Sequence, residues 1–282
     1  MKEFQGKVAV ITGGASGIGH AMAERFAEEG MRIVLADVEE SALTKTTNEM
    51  KADGAEVISV LCDVSKKEDM KNLADKAVEA YGTVHILCNN AGVGCSGNTW
   101  EISLEDWEWI MGVNLWGVIY GNHYFTPIML ANGDPCHIVN TSSFAGLTNG
   151  LFMTPYHVTK NSVVSISESM FKELTVMEAN IGISVLCPAW VNTRIFESTR
   201  NHPAGAPKPG ENDAVPQGHL DFVKKCVQDG LSTEHIAQLV MNAIVEEKFY
   251  ILSHPEWNSM IETRMVDILE ERNPTIIMPP QE

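Results

Sequence analysis

The chain has 282 residues, 44% hydrophobic and 20% charged, the proportions of a globular protein that can bury a sizeable core, which sets disorder aside. Its 20 basic residues stand against 37 acidic ones, a formal charge of −17 that repels nucleic-acid phosphates and anionic lipid, so neither is expected as a partner. Six cysteines (Cys62, Cys88, Cys95, Cys136, Cys187, Cys226) lie scattered without a C-x-x-C pair, and no run suits a signal peptide or a membrane span, so a reduced, cytoplasmic protein is expected.

Along the chain, residues 8–12 form a β-branched run that ends in Gly13-Gly14, and a helical period runs from 18 to 29 and stops at Gly30. A second strand is expected at 32–37, a helix at 40–52, a third strand at 56–63, a helix at 66–81 closed by Gly82, and a fourth strand at 84–89. A long helical stretch begins near Leu104, followed by a strand at 137–142, a helix at 155–179, a strand at 182–187, a helix at 233–247 and a short strand at 249–252. Repeated strand–helix units with near-continuous apolar strands read as a parallel sheet buried on both faces, because right-handed crossovers put helices on each side. The expected fold is α/β, a doubly wound, seven-stranded Rossmann sheet in one domain over residues 1–282. Residues 199–218, rich in Pro, Gly and Asn, are expected to form a loop within a substrate-loop insertion at about 194–230, where active-site lids occur. A C-terminal extension at about 255–282 carries a helical stretch at 257–271.

Thr12-Gly13-Gly14-Ala15-Ser16-Gly17-Ile18-Gly19 joins the first strand to the first helix, where glycines let the backbone approach a pyrophosphate at a helix N-terminus. A chain this acidic needs such a local device to hold an anionic dinucleotide. Asp37 ends the second strand, where a carboxylate accepts hydrogen bonds from both adenosine ribose hydroxyls and repels a 2′-phosphate, so NAD is expected over NADP. No arginine adjoins Asp37 in sequence to receive that phosphate.

Tyr156 and Lys160 stand at i and i+4 of one helix and share a face. A phenol with a pKa of about 10 is a poor base near neutrality, and a neighbouring ammonium is expected to favour its ionised form. Ser143 follows the strand at 137–142 and is expected to hold a substrate oxygen, with Ser142 as the competing candidate. Asn114 sits inside a helix, where asparagine has poor propensity, and reads as a helix-kinking residue that holds a water. Phe144, Leu147, Asn149, Leu151, Phe152, Trp190, Ile195 and Phe196 flank the strand ends and suggest an apolar pocket for a hydrophobic or cyclic secondary alcohol or ketone. The nine histidines form no H-x-x-x-H or H-E-x-x-H cluster, and no metal is expected.

From Lys7 to about Pro255 the chain resembles the short-chain dehydrogenase/reductase family. Thr12–Gly19 matches that family's TGxxxGxG element, Asn89-Asn90-Ala91-Gly92 its NNAG element, and Ser143, Tyr156 and Lys160 its S…YxxxK active site, with Asn114 at the fourth catalytic position. The resemblance implies an NAD-dependent oxidoreductase in which Tyr156 moves a proton, and Lys160 bonds the nicotinamide ribose and relays protons through a water on Asn114. It further implies that Asp63 and Val64 contact the adenine, that Asn90, Ala91 and Gly92 lie beside the cofactor, that Ile18 offers a backbone N–H to the phosphates, and that Val191 and Thr193 hold the carboxamide. Ala189 stands after Pro188 where the family usually has glycine. A homotetramer or homodimer built through helices near 104–130 and 155–179 is implied as well. Two other functions remain open at this point: a non-catalytic dinucleotide-binding regulator, and a nucleotide-sugar epimerase or dehydratase, whose TGxxGxxG spacing Gly13, Gly17 and Gly19 do not fit.

Overall fold

The computed structural model describes residues 1–203 and 215–277. Seven parallel strands form one sheet: β1 (Val8–Thr12), β2 (Arg32–Asp37), β3 (Val57–Leu61), β4 (Ile86–Asn89), β5 (Cys136–Thr141), β6 (Ile181–Cys187) and β7 (Tyr250–Leu252), in the spatial order β3-β2-β1-β4-β5-β6-β7. The order reverses between β1 and β4, which opens a crevice at the carboxyl ends of those strands.

Alternation along the strands explains why both faces are covered. Ala9, Ile11, Ile33 and Leu35 point to one face and meet Met22 and Phe26 of α1 (Gly17–Glu28), Leu43 and Met50 of α2 (Glu40–Ala52), and Ile236 and Val240 of α8 (Thr233–Glu246). Val8, Val10, Val34 and Ala36 point to the other face and meet Met70 and Leu73 of α3 (Lys67–Tyr81), Phe125 and Met129 of α5 (Gly117–Asn132), and Leu174 of α6 (Thr154–Val176). A strand with an apolar layer on each side has no polar face to offer, which is the reason its sequence lacks a hydrophobic–polar alternation.

Most element boundaries move by one or two residues from the sequence expectation. The larger differences are informative. The helical stretch from Leu104 is two helices, α4 (Leu104–Met111) and α5, joined by a π turn over Gly112–Trp116 with Asn114 at its centre. Within the expected loop insertion, a 3₁₀ turn spans Ile195–Asn201, and α7 (Gln217–Gln228) buries Val223 and Val227 at an i,i+4 spacing that the sequence reading passed over. The remainder of the expected loop, residues 204–214, lies outside the described residues. The C-terminal extension holds α9 (Asn258–Leu269), preceded by a 3₁₀ turn at Pro255–Trp257. Among the described residues no helix is long and apolar enough to cross a membrane.

Candidate active site

The turn between β1 and α1 lies at the crevice. Gly17 has φ +57°, a conformation that costs an L side chain, and a Cβ on Gly19 would collide with the carbonyl oxygen of Gly13, so α1 comes down onto its own turn only as glycine. Ser16 at the N-cap makes no side-chain capping bond and the first turn carries no acidic residue. The first-turn N–H groups of α1, that of Ile18 among them, are thereby left as donors for an anion. Thr12 locks the adjoining loop: its Oγ1 accepts the N–H of Asn90 at 2.9 Å and of Ala91 at 3.1 Å, and Asn90 Nδ2 donates to the Thr12 carbonyl at 3.0 Å. Gly13, Ser16, Gly17, Ile18, Asn90, Ala91 and Gly92 line one cleft of about 780 Å³, with Gly19 behind its wall. This cradle of unfilled helix donors and close backbone fits the pyrophosphate of a dinucleotide.

Asp37, Asp63 and Val64 line the same cleft. The Asp37 carboxylate accepts two backbone N–H groups, from Ala15 at 3.0 Å and from Glu39 at 3.0 Å, so it braces the glycine turn as well as facing the cleft. Burial raises its pKa, and those amides oppose the rise. Asp63 is engaged by the N–H and hydroxyl of Ser65 and by Lys66 Nζ at 3.3 Å. An arginine does reach the neighbouring carboxylate, Glu39. Arg200, 161 residues on from Glu39, donates Nε to Glu39 Oε1 at 2.7 Å, and Asn201 Nδ2 donates to the same oxygen at 2.9 Å. Sequence reading missed these three residues because a contact across that separation leaves no local pattern.

Ser143, Tyr156 and Lys160 line the same cleft, with Lys160 Nζ beside Gly92. Ser143 follows β5; its hydroxyl accepts the N–H of Ala145 at 3.1 Å and reaches the Pro188 carbonyl at 3.2 Å. Ser142, the competing candidate, donates to the Lys160 carbonyl at 2.7 Å and is part of the scaffold. Lys160 is 3% exposed, donates Nζ to the Thr141 carbonyl at 2.9 Å, and stands 5.6 Å from the centroid of the Tyr156 ring. Burial lowers the Lys160 pKa to about 8. The expected lowering of the Tyr156 pKa by that ammonium is corrected by the geometry: the amine sits over the ring and bonds a carbonyl, while burial raises the phenol and a hydrogen bond from Ser143 opposes the rise.

Asn114 is fully buried behind the cleft wall, and both polar atoms of its side chain are engaged. Its Oδ1 accepts the Val93 N–H at 2.8 Å, and its Nδ2 donates to the Val93 carbonyl at 2.9 Å and to Thr159 Oγ1 at 3.3 Å. The helix interruption read at this residue takes the form of the π turn, and the side chain braces the backbone at Val93.

Val191 and Thr193 line the cleft opposite the glycine turn, and Val191 pairs with Leu231 in a short bridge. The backbone N–H of Ala189 is tied to Ser253 Oγ at 3.1 Å. Phe144, Asn149, Leu151, Trp190, Ile195 and Phe196 line the cleft as expected. Leu147 and Phe152 do not: Leu147 packs against the cluster of Val118 and Val163, and Phe152 stands edge-on to His219. The C-terminal segment supplies wall that the sequence left unassigned, with Trp257 edge-on to Phe144 at 5.4 Å and to Trp190 at 6.0 Å, and with Met260 and Ile277 beside it.

The family profile for short chain dehydrogenases matches residues 7–204. The "CLA biosynthesis dehydrogenase/reductase" of Lactiplantibacillus plantarum is 34% identical over 98% of this chain and 98% of its own length. The "C alpha-dehydrogenase" of a Sphingobium strain is 33% identical over 97% of this chain and 89% of its own. Among solved structures, a short chain dehydrogenase/reductase from Burkholderia phymatum in complex with NAD superposes with a TM-score of 0.95 at 43% identity, covering 99% of this chain and all of that one.

Proposed function

The chain belongs to the short-chain dehydrogenase family of NAD(P)-dependent oxidoreductases, and from that premise we propose that it interconverts a secondary alcohol and a ketone with NAD. The observation that carries the reading is that Ser143, Tyr156 and Lys160 line the same cleft as the glycine cradle. When bound, the dinucleotide supplies a ring that accepts or donates a hydride. Tyr156 exchanges the proton of the substrate oxygen, Ser143 orients that oxygen, and Lys160 keeps a positive charge beside both. Because burial holds the phenol protonated near neutrality, Tyr156 is ready to donate to a carbonyl, and it serves alcohol oxidation better as pH rises.

NAD is favoured over NADP by Asp37 and Glu39, two carboxylates at the adenosine end of the cleft. A second reading, NADP, is favoured by one observation, the guanidinium of Arg200 on Glu39. Fluorescence titration with each dinucleotide decides between them; tighter NADP binding would overturn the first reading. The aromatic wall of Phe144, Trp190 and Trp257 supports a hydrophobic or cyclic substrate, and six free cysteines among the described residues support a reducing, cytoplasmic setting. The reaction is tested by following NADH formation with a panel of cyclic and aryl secondary alcohols. Turnover of at least one is expected; dinucleotide binding without turnover of any alcohol or ketone would favour a regulator built on the same fold.

A further inference from the structure

His157 follows Tyr156 on α6, is 8% exposed, and turns its ring to the loop after β5 that carries Ser143. Its Nε2 accepts the backbone N–H of Gly150 at 2.9 Å. A backbone amide only donates, so Nε2 carries no proton, and Nδ1–H donates to the Ala145 carbonyl at 2.8 Å. These two contacts permit one neutral tautomer. Ala145 is thereby held at both ends, its N–H on Ser143 Oγ at 3.1 Å and its carbonyl under His157. Asn161 adds a donor to the same carbonyl at 3.3 Å and another to the His157 carbonyl at 2.9 Å. Arg264 closes the network from α9, donating Nη1 to the Leu147 carbonyl at 3.1 Å and Nη2 to Asn161 Oδ1 at 3.4 Å.

We propose that His157 is a positioning residue for the Ser143–Tyr156 pair, held by its contacts to Gly150 and Ala145 in one neutral tautomer, and that Arg264 of the C-terminal segment, bonded to Leu147 and Asn161, braces the loop around it. The residue next to the proton donor clamps the peptide that orients the serine hydroxyl, so the two oxygens that meet the substrate keep one separation. A proton on Nε2 would set two N–H groups against each other at Gly150 and loosen the loop. Burial chiefly, and then the Arg264 charge, hold the imidazole below its ordinary value, against the carbonyls of Ala145 and Thr148. Arg264 is the charged group that faces the ring from α9, and the loop at 144–150 has no titratable side chain. The C-terminal extension on this account tunes the active site and does not merely cover it.

The inference rests on the reading of Ser143 and Tyr156 given above, and carbonyl reduction separates the two. In that direction Tyr156 donates its proton, so its own titration limits only the alkaline side, and an acid limb reports His157. With NADH and cyclohexanone or acetophenone, wild-type kcat/KM is expected to fall on the acid side with a midpoint below that of ordinary imidazole, and Arg264→Met moves the midpoint up. His157→Phe lowers kcat by about 10²-fold with NADH affinity unchanged, the scale of a reacting group out of place by about 1 Å. His157→Asn, whose amide still reaches the Ala145 carbonyl, recovers most of kcat and loses the acid limb. Nitrogen-15 spectra of the imidazole test the tautomer without any turnover. Wild-type kcat in His157→Phe, an acid midpoint that Arg264→Met leaves in place, or an Nε2–H tautomer overturns the proposal. A wild-type protein that shows the Nδ1–H tautomer yet reduces neither ketone bears against the reaction and supports the clamp.

Discussion

Tyr156 is partly buried, and desolvation of its phenolate outweighs the Ser143 hydrogen bond, so the phenol titrates above its ordinary value. The sign of the pH dependence follows. Oxidation requires the ionised phenol and should rise with pH through neutrality until Lys160, lowered to about 8, loses its charge; reduction requires the neutral phenol and the charged Lys160 and should fall on the alkaline side. Profiles of kcat/KM in both directions check this, and an oxidation rate that falls as pH rises from 6 to 7.5 would contradict it. At the adenosine end, Asp37→Asn removes a carboxylate that repels a 2′-phosphate, and the NADP-to-NAD affinity ratio should rise by about tenfold or more, or about 1.4 kcal/mol. The place of both residues on the cleft was legible in the sequence, Tyr156 with Lys160 because a helix repeats its face every four residues, Asp37 because a strand end is a fixed place in the fold. Arg200 and Asn201 were not legible, because nothing local in residues 195–203 records that they will meet Glu39.

The 3₁₀ segment Ile195–Asn201 and the two residues after it form a strap with anchors on both sides of the cleft. Arg200 and Asn201 hold Glu39 beyond β2, while Ser198 Oγ accepts the N–H of Gly94 at 3.2 Å. His202 reaches α4, its Nε2 3.0 Å from Asp106 Oδ1 and its ring edge-on to Trp109 at 4.5 Å. A strap tied at both ends hinders departure of whatever lies beneath it. Arg200→Met should therefore speed dinucleotide dissociation several-fold, since a partly exposed ion pair is worth up to about 1 kcal/mol. Stopped-flow displacement of NADH measures this, and an unchanged off-rate would free the strap of that role. At this scale the strand–helix alternation was readable from apolar runs and glycine stops. The π form of the interruption at Asn114 and the whole of α7 were not, because a one-residue insertion in a helix keeps helical composition, and α7 follows a Pro- and Gly-rich stretch that masked its period.

For the molecule as a whole, acid is the expected weakness. His137 on β5 is 1% exposed, faces Gly182 across the β5–β6 register, and stands with Nε2 2.8 Å from Ser184 Oγ, while Nδ1 finds no donor among the described residues. Burial lowers its pKa to about 3. The unfolded chain binds that proton near pH 6.5, so stability is intact above 6.5 and declines as pH falls toward 3, by up to about 1.4 kcal/mol per pH unit. His137→Asn should flatten that slope in urea denaturation series; an equal slope would assign the acid loss to other groups. Leu130 on α5 and Phe171 on α6 are exposed; whether these helices join a homotetramer or homodimer is tested by sedimentation analysis at micromolar concentration, where a monomer would contradict the expectation. Charge, sheet and reaction class were readable at this scale because they sum over many residues. The C-terminal wall was not, since the pairing of Trp257 with Phe144 depends on how α9 folds back.

On the proposed mechanism the Tyr156 hydroxyl carries the proton while dinucleotide affinity rests mainly on other residues of the cleft. Tyr156→Phe, titrated with NADH by fluorescence and assayed for turnover of the best alcohol in the panel, tests it most directly. Unchanged affinity with turnover lost by about 10²-fold or more is the predicted result, the range for removal of a general acid–base. Near-native turnover in that variant would contradict the account.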